Sequence, residues 1–104
     1  MFGSRFQDTL CEAVRNRLVV EIRYDDDRSY RQFEPHIVYR STQDNVLVGG
    51  TQTHNPQKPQ ERDVPRNFDL DKIQDVKATN RTFTPHHLFD RFDKRYSHGI
   101  ICHV

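Results

Sequence analysis

Arginines and tyrosines recur together in this chain, and that combination can bind phosphate and stack against a base. Arg66 lies two residues before Phe68, in the segment 66–73 that reads Arg-Asn-Phe-Asp-Leu-Asp-Lys-Ile. A planar guanidinium can hold an anion by two parallel hydrogen bonds. Further cations would add positive charge around the anion, and the candidates are Arg31, Arg40 and Lys72. An aromatic ring would offer a face on which a base can stack, and the candidates are Tyr24 and Tyr39. These residues predict a basic–aromatic cleft centred on Arg66.

Arg66 itself has two interpretations. In a strand, Arg66 would point to the same side as Val64 and Phe68, so its side chain should lie in the protein interior or at the edge of it. A guanidinium there needs an anionic partner. That partner is either a neighbouring carboxylate, from Glu61, Asp63 or Asp71, or a bound anion, and both interpretations stay open.

Metal binding and catalysis are not indicated by the residue spacing. The chain has six histidines, but His86 and His87 are adjacent and would point in different directions on a helix. Neither C-x-x-C nor H-E-x-x-H occurs, and there is no glycine-rich phosphate loop or nucleophile elbow. We therefore expect no metal, no cofactor and no catalytic residue, and we predict a binding protein rather than an enzyme.

Length and composition predict one small domain. The chain has 104 residues, of which 34% are hydrophobic, and its net charge is +1. That charge does not suggest a histone-like protein, so an anion site must come from local clustering of cations. Cys11 and Cys102 are too few for a disulfide framework. We expect free thiols in a reducing cytoplasm, with a disulfide between the two as the alternative.

The pattern of apolar residues predicts a helix, five short strands and a second helix. The first helix covers 5–16, with Ser4 as a cap, and the strands cover 18–24, 30–40, 45–50, 62–68 and 72–79. Pro35 should bend the second strand. Thr84-Pro85 should begin a C-terminal helix that Gly99 ends. The apolar tail 100–104 should pack on the strands or on a second copy, and we expect a homodimer.

Four motifs carry a family resemblance. A helix leads into a strand that ends at Tyr24, and the segment 31–37 reads Arg-Gln-Phe-Glu-Pro-His-Ile. The segment 45–49 reads Asn-Val-Leu-Val-Gly, and the fourth motif is the Arg66 segment. In this order the motifs resemble the WYL domain, a small barrel of bacterial transcription regulators that senses a ligand or nucleic acid. Asn45 and Val46 replace the Trp-Tyr pair of the family signature.

The resemblance implies an Sm-like fold and a regulatory role. We expect a mainly β domain over residues 1–104: a five-stranded antiparallel barrel over 18–79, an N-terminal helix, and a C-terminal helix and tail over 84–104. Little sequence precedes the first strand, so we expect a stand-alone domain without a helix-turn-helix. The predicted function is ligand sensing for a partner regulatory protein, by binding a nucleotide or a short single-stranded nucleic acid. The alternative is a protein-interaction or oligomerisation subunit without a small ligand. No long apolar run is present, so we expect no membrane span and a cytoplasmic protein.

Overall fold

The computed structural model of this chain describes residues 5–104, and it is mainly β. Over those residues, one helix precedes six strands. The elements are α1 (Gln7–Asn16), β1 (Leu18–Tyr24), β2 (Arg31–Arg40), β3 (Val46–His54), β4 (Val64–Asp69), β5 (Ile73–Thr82) and β6 (Ile100–His103). Short 3₁₀ turns lie at Leu70–Lys72 and Lys94–Tyr96.

Helix α1 agrees closely with the prediction. Its apolar stripe is buried, including Leu10, Ala13 and Val14. The helix ends at Asn16 because Arg17 adopts a left-handed conformation (φ 56°), and its N–H bonds back to the carbonyls of the last turn. The cap predicted at Ser4 lies outside the described residues.

The strands form one antiparallel sheet in the order β4-β3-β2-β1-β5. Strands β4 and β5 are the two ends of this path, and the 3₁₀ turn Leu70–Lys72 connects them. The N–H of Asp25 donates to the carbonyl of Lys72 at 2.7 Å, which ties that turn to the end of β1. The described residues thus form an open sheet, and the predicted closed five-stranded barrel is not confirmed.

An irregularity in strand β2 places apolar side chains of that strand on both faces of the sheet. A register shift between Pro35 and Ile37 interrupts its pairing with β3 and confirms the irregularity expected at the proline. Phe33 and Val38 therefore belong to the main core with α1, which we call the core face. Ile37 and Tyr39 point to the opposite side, close to Gly49, and we call this the outer face.

Most of the predicted core is buried. Fully or nearly fully buried are Val20, Ile22, Phe33, Ile37, Phe68, Ile73 and Val76. Leu18 and Leu47 are only half-buried, and Val48 occupies the core where Leu47 was expected.

The predicted C-terminal helix is wrong. Residues 84–99, which we call the C-terminal segment, contain turns and the 3₁₀ turn Lys94–Tyr96 instead. Side chains accept the backbone N–H two residues ahead: His86 from Leu88, Asp90 from Phe92, and Asp93 from Arg95. Such local bonds compete with the helical pattern. The expected apolar stripe is also divided, because Leu88 is 75% and Phe92 78% exposed.

The expectation of free thiols is wrong as well. Cys11 and Cys102 form a disulfide, with their Cα atoms 5.8 Å apart. The tail causes this proximity, since β6 pairs with β2 on the same sheet against which α1 packs. One of the two expectations for the tail is thereby confirmed: it packs on the strands. No helix within the described range is long and apolar enough to cross a membrane.

Candidate functional site

A cleft of about 250 Å³ lies between the outer face of the sheet and the C-terminal segment. Strands β3 and β4 contribute one wall, including Gly49, Gly50 and Arg66. The C-terminal segment contributes the other wall, including Phe89 and Arg95. A sheet and an irregular segment from distant parts of the chain thus enclose the cleft that Arg66 lines.

Arg66 lines the cleft from β4, where it pairs with Gly50 of β3. One nitrogen of its guanidinium donates to Oε1 of Glu61 at 3.1 Å. Both side chains remain about one-third exposed, at 34% and 31%. The neighbouring-carboxylate interpretation is therefore observed. An ion pair this exposed is weak, so an incoming anion could compete for the guanidinium.

Arg95 contributes a second cation to the cleft from the C-terminal segment. Its Nε donates to Oδ1 of Asp93 at 3.2 Å. The backbone N–H of Arg95 and this side-chain bond lower the pKa of Asp93. Asp63, Asp90 and Asp93 also line the cleft, so its charges are mixed rather than uniformly positive.

His36 connects the sheet to the C-terminal segment. Its ring is 2% exposed, and Nε2 accepts the backbone N–H of His86 at 2.9 Å. Nε2 must then be unprotonated, so Nδ1 carries the proton and donates to the carbonyl of Glu34 at 2.8 Å. Burial lowers the pKa of His36, which favours this neutral form. The ring also contacts Phe83 and Phe89, with centroids 5.1 and 5.6 Å away.

Tyr39 lies beneath the same segment. Its hydroxyl donates to Oδ1 of Asn67 at 2.8 Å, and its ring packs edge-on against Tyr96 at 4.6 Å. Burial raises the pKa of Tyr39, and burial likewise raises the pKa of Tyr96. Tyr39, which we expected to stack on a ligand, does not line the cleft, whereas Tyr96 does.

Arg31 and Tyr24 belong to a different arrangement, on the core face. Arg31 binds Asp27 through two nitrogens, at 2.8 and 3.0 Å, and donates to Oε1 of Gln52 at 3.2 Å. Its guanidinium lies 5.9 Å from the ring centre of Tyr24 and 5.5 Å from that of Phe68. Burial tends to raise the pKa of Asp27, but the hydrogen bonds that it accepts from Arg31 and from the N–H of Tyr24 lower it, and the net shift is downward. Carboxylate, amide and rings already surround this arginine.

The two remaining predicted residues lie apart from both arrangements. Arg40 forms an exposed ion pair with Asp44 at 3.1 Å, at the turn between β2 and β3. Lys72 is exposed on the 3₁₀ turn after β4. Arg66 thus lines the cleft and Tyr39 adjoins it, while the other predicted residues lie elsewhere.

Sequence reasoning missed the contribution of the C-terminal segment. Arg95 and Tyr96 form an arginine–tyrosine pair like those that singled out the other candidates, but they fell inside the predicted helix. His36 belongs to a family motif, but the sequence did not indicate its role, because that role depends on the N–H of His86, 50 residues away along the chain. Across residues 5–104, no group of three or more His, Cys, Asp or Glu side chains is placed to hold a metal ion.

Comparison with known proteins identifies one family. A family model described as the WYL domain matches residues 5–78. That range covers α1, all of β1 to β4 and most of β5, and it ends before the C-terminal segment. No curated protein and no solved structure matches the chain.

Proposed function

This chain belongs to the WYL domain family, and from that premise we propose that it is a ligand-sensing regulatory module. It acts by binding rather than by catalysis, in the cytoplasm, and it passes the signal to a partner regulatory protein. The observation that supports the proposal most directly is the cleft at Arg66, which combines two arginines with aromatic side chains.

The ligand we propose is a single nucleotide. Sites for small molecules typically measure about 300–1,000 Å³, so a cleft of about 250 Å³ suits a small ligand. A longer single strand presents a phosphate at every residue and would need an extended positive groove. The carboxylates of Asp63, Asp90 and Asp93 break the positive field around the cleft, which favours the nucleotide over the strand.

Arg66 is the residue we propose to hold the phosphate. Its present partner, Glu61, is a partly exposed carboxylate that a phosphate group can replace in kind. Arg95 would add positive charge from the facing wall, and Phe89 or Tyr96 would offer a ring to the base. Stacking of this kind contributes about 1–3 kcal/mol per base.

Titration with adenosine and guanosine monophosphates, cyclic dinucleotides and a short oligonucleotide tests the assignment. We expect millimolar or tighter binding of the mononucleotides, weakening as salt increases because phosphate contacts displace counterions. Arg66→Ala should weaken binding at least about tenfold, since charge-assisted hydrogen bonds contribute about 1.5–3 kcal/mol. Arg66→Lys should lose much of the affinity too, because lysine lacks the planar fork.

Arg62→Ala is the matched control. This substitution removes the same charge as Arg66→Ala, at a position four residues earlier in the chain. Arg62 is exposed and does not line the cleft. Its affinity should stay close to that of the wild type. Equal binding by Arg66→Ala and wild type, or no binding at millimolar nucleotide, would show that the site is misplaced.

Glu61→Gln tests the clamp from the opposite direction. Removing the carboxylate frees Arg66 without changing the size of the side chain, so the affinity for nucleotide should rise. Unchanged or weaker binding would contradict competition between Glu61 and the phosphate.

A second candidate function is an interaction or oligomerisation subunit. The exposed side chains of Leu88 and Phe92 favour it, because large apolar groups at a surface often mark protein contacts. This function needs no ligand in the cleft, and the titration above separates it from the first.

A further inference from the structure

The disulfide joins α1 to the strand that ends the chain. Cys11 lies in α1 and Cys102 in β6, 91 residues apart in sequence. The two side chains are only 4% and 5% exposed. The bridge therefore fixes β6 against the helix covalently.

Besides the disulfide, strand β6 is held by apolar packing of Ile101, Cys102 and Val104 on the core and by a short ladder. It pairs with β2 at Ile37, Val38 and Tyr39, with a register shift inside that short ladder. Two flanking bonds extend the pairing: the N–H of Val104 donates to the carbonyl of His36, and the N–H of Arg40 to that of Gly99, both at 2.9 Å. Without the disulfide, β6 would depend on this apolar packing and on a ladder far shorter than those between the central strands.

The wall of the cleft depends on β6. The C-terminal segment leaves the sheet after Phe83, whose N–H bonds to the carbonyl of Arg17, and it rejoins the sheet at β6. Between these ends it contains only turns, and the bond from His86 to His36 and the packing of Tyr96 on Tyr39 hold it against the sheet. Loss of the β6 anchor would leave the segment with Arg95 and Tyr96 attached through these contacts and the packing of Phe89 on His36.

Cys11 borders a surface cavity. A surface cavity of about 360 Å³ lies beside α1, and Cys11 and Ile101 line it together with Asp8, Glu12 and Arg15. A small thiol entering there approaches the Cys11 side of the disulfide. Cys11 is thus shielded from bulk solvent and borders a cavity through which a small reductant could approach it.

We propose that the Cys11–Cys102 disulfide is a redox switch for the cleft: oxidation holds the C-terminal segment in place, and reduction by a dithiol releases it and weakens ligand binding. This regulation rests on the proposed function, because it acts on the same cleft. The cysteines belong to the same core cluster as the strands, but the hydrogen-bonded ladders that join β1 to β5 do not include either of them, so we expect the opening to be local.

The reaction is a thiol–disulfide exchange. A thiolate of the dithiol attacks Sγ of Cys11, forming a mixed disulfide, and Cys102 leaves as a thiolate that takes a proton from solvent. The second thiol of the reductant then attacks the reductant's other sulfur, which is bonded to Cys11 in the mixed disulfide. This closes the reductant's own disulfide and releases Cys11 as a thiolate. Two electrons pass from the dithiol, which becomes a cyclic disulfide, to the two cysteines.

Hydrogen exchange of the whole chain, oxidised and after reduction with dithiothreitol, tests the switch without any ligand. Alkylation and mass measurement establish the thiol count in each sample. Reduction should speed exchange at least about tenfold in residues 84–104, while residues 18–24 of β1 keep their protection. Equal exchange in both states, thiols that alkylate without reductant, or a simultaneous loss of protection throughout the chain would overturn the proposal.

Binding of adenosine monophosphate to the same two samples tests the link to the cleft. We expect at least threefold weaker binding after reduction, and the double variant Cys11→Ala/Cys102→Ala should bind like the reduced protein and ignore dithiothreitol. Equal affinity in both states would overturn the switch and leave the proposed function intact. Binding to neither state would remove the proposed function and the regulatory claim with it, even if the exchange rates differ.

Discussion

At the scale of single residues, hydrogen-bond partners decide what each candidate side chain can do. His36 is neutral because both ring nitrogens are engaged, one as acceptor from His86 and one as donor to Glu34. Arg31 and Arg66 are both arginines of the predicted site. Asp27 holds the first through a nearly buried carboxylate, while Glu61 holds the second through a partly exposed one. Only the second is free to exchange its partner at low cost.

The neutral state of His36 predicts a pH dependence of stability. Burial lowers the folded pKa of His36 below the ordinary 6.5, so between these two values the unfolded chain binds more protons than the folded one. The free energy of unfolding should therefore be highest above about pH 6.5 and fall as the pH drops towards the folded pKa. Urea unfolding at pH 7.5 and 5.5 measures this loss.

His36→Gln is the control for that measurement. Glutamine can accept from the N–H of His86 and donate to Glu34, but it does not titrate. The variant should lose less stability than the wild type between pH 7.5 and 5.5. An identical loss in both proteins would assign the pH dependence to other groups.

The Arg31–Asp27 pair predicts a large cost for removing the arginine. Arg31→Met leaves the carboxylate of Asp27 buried without its cation, a change that costs about 3–5 kcal/mol. Arg40→Met breaks the exposed pair with Asp44 and should cost no more than about 1 kcal/mol. Denaturant unfolding of the two variants compares them, and equal costs would show that Arg31 is not a buried structural group.

At the scale of elements, the irregularity in β2 separates the core face from the cleft. The register shift between Pro35 and Ile37 turns Val38 towards α1 and leaves Ile37 and Tyr39 for the outer face. The neighbouring strand β3 follows this bend closely at Gly49 and Gly50, which pair with Ile37 and Pro35. A side chain has little room at either glycine.

Alanine substitutions at these two glycines should differ in effect. A Cβ at Gly50 would lie 2.0 Å from the backbone carbonyl oxygen of Glu34, so the strands themselves would have to move. We expect Gly50→Ala to cost about 3 kcal/mol or more. At Gly49 the nearest atom is Oδ1 of Asn67 at 2.6 Å, which can rotate away at the cost of its bond to Tyr39, about 1 kcal/mol.

Thermal unfolding of both glycine variants provides the measurement. The melting temperature should fall much further for Gly50→Ala than for Gly49→Ala. The reverse order would mean that β2 and β3 can separate at the bend more easily than their backbone contact suggests.

At the scale of the whole molecule, the apolar surface is concentrated on the C-terminal segment. Leu88 and Phe92 are largely exposed there, and Leu88 also lines the cleft. We predict that this surface forms a homodimer, since two copies would cover each other's exposed side chains.

Sedimentation equilibrium tests the dimer. The wild type should show twice the mass of a single chain, and Leu88→Ser/Phe92→Ser should shift the equilibrium towards the monomer by at least tenfold. Glu12→Ser, an exposed substitution on α1, is a control that should leave the mass unchanged. A monomeric wild type at high concentration would refute the prediction.

Local patterns in the sequence determined most of the secondary structure. The helical spacing of Leu10, Ala13 and Val14 and the apolar residues of β1 predicted α1 and the first strand, because burial of one face imposes a period on the residues. The motifs around Arg31 and Arg66 also predicted the family from the sequence, because each motif is defined by residue spacing within a short segment.

Only the tertiary structure decided which residues form the cleft. The disulfide requires β6 to lie beside α1, and the bond from the N–H of His86 to His36 holds the C-terminal segment on the sheet. Which arginine is buried with a carboxylate and which lines a cleft depends on contacts between distant segments, as Arg31 with Gln52 shows. Such contacts have no fixed spacing along the chain, so no period or motif can report them.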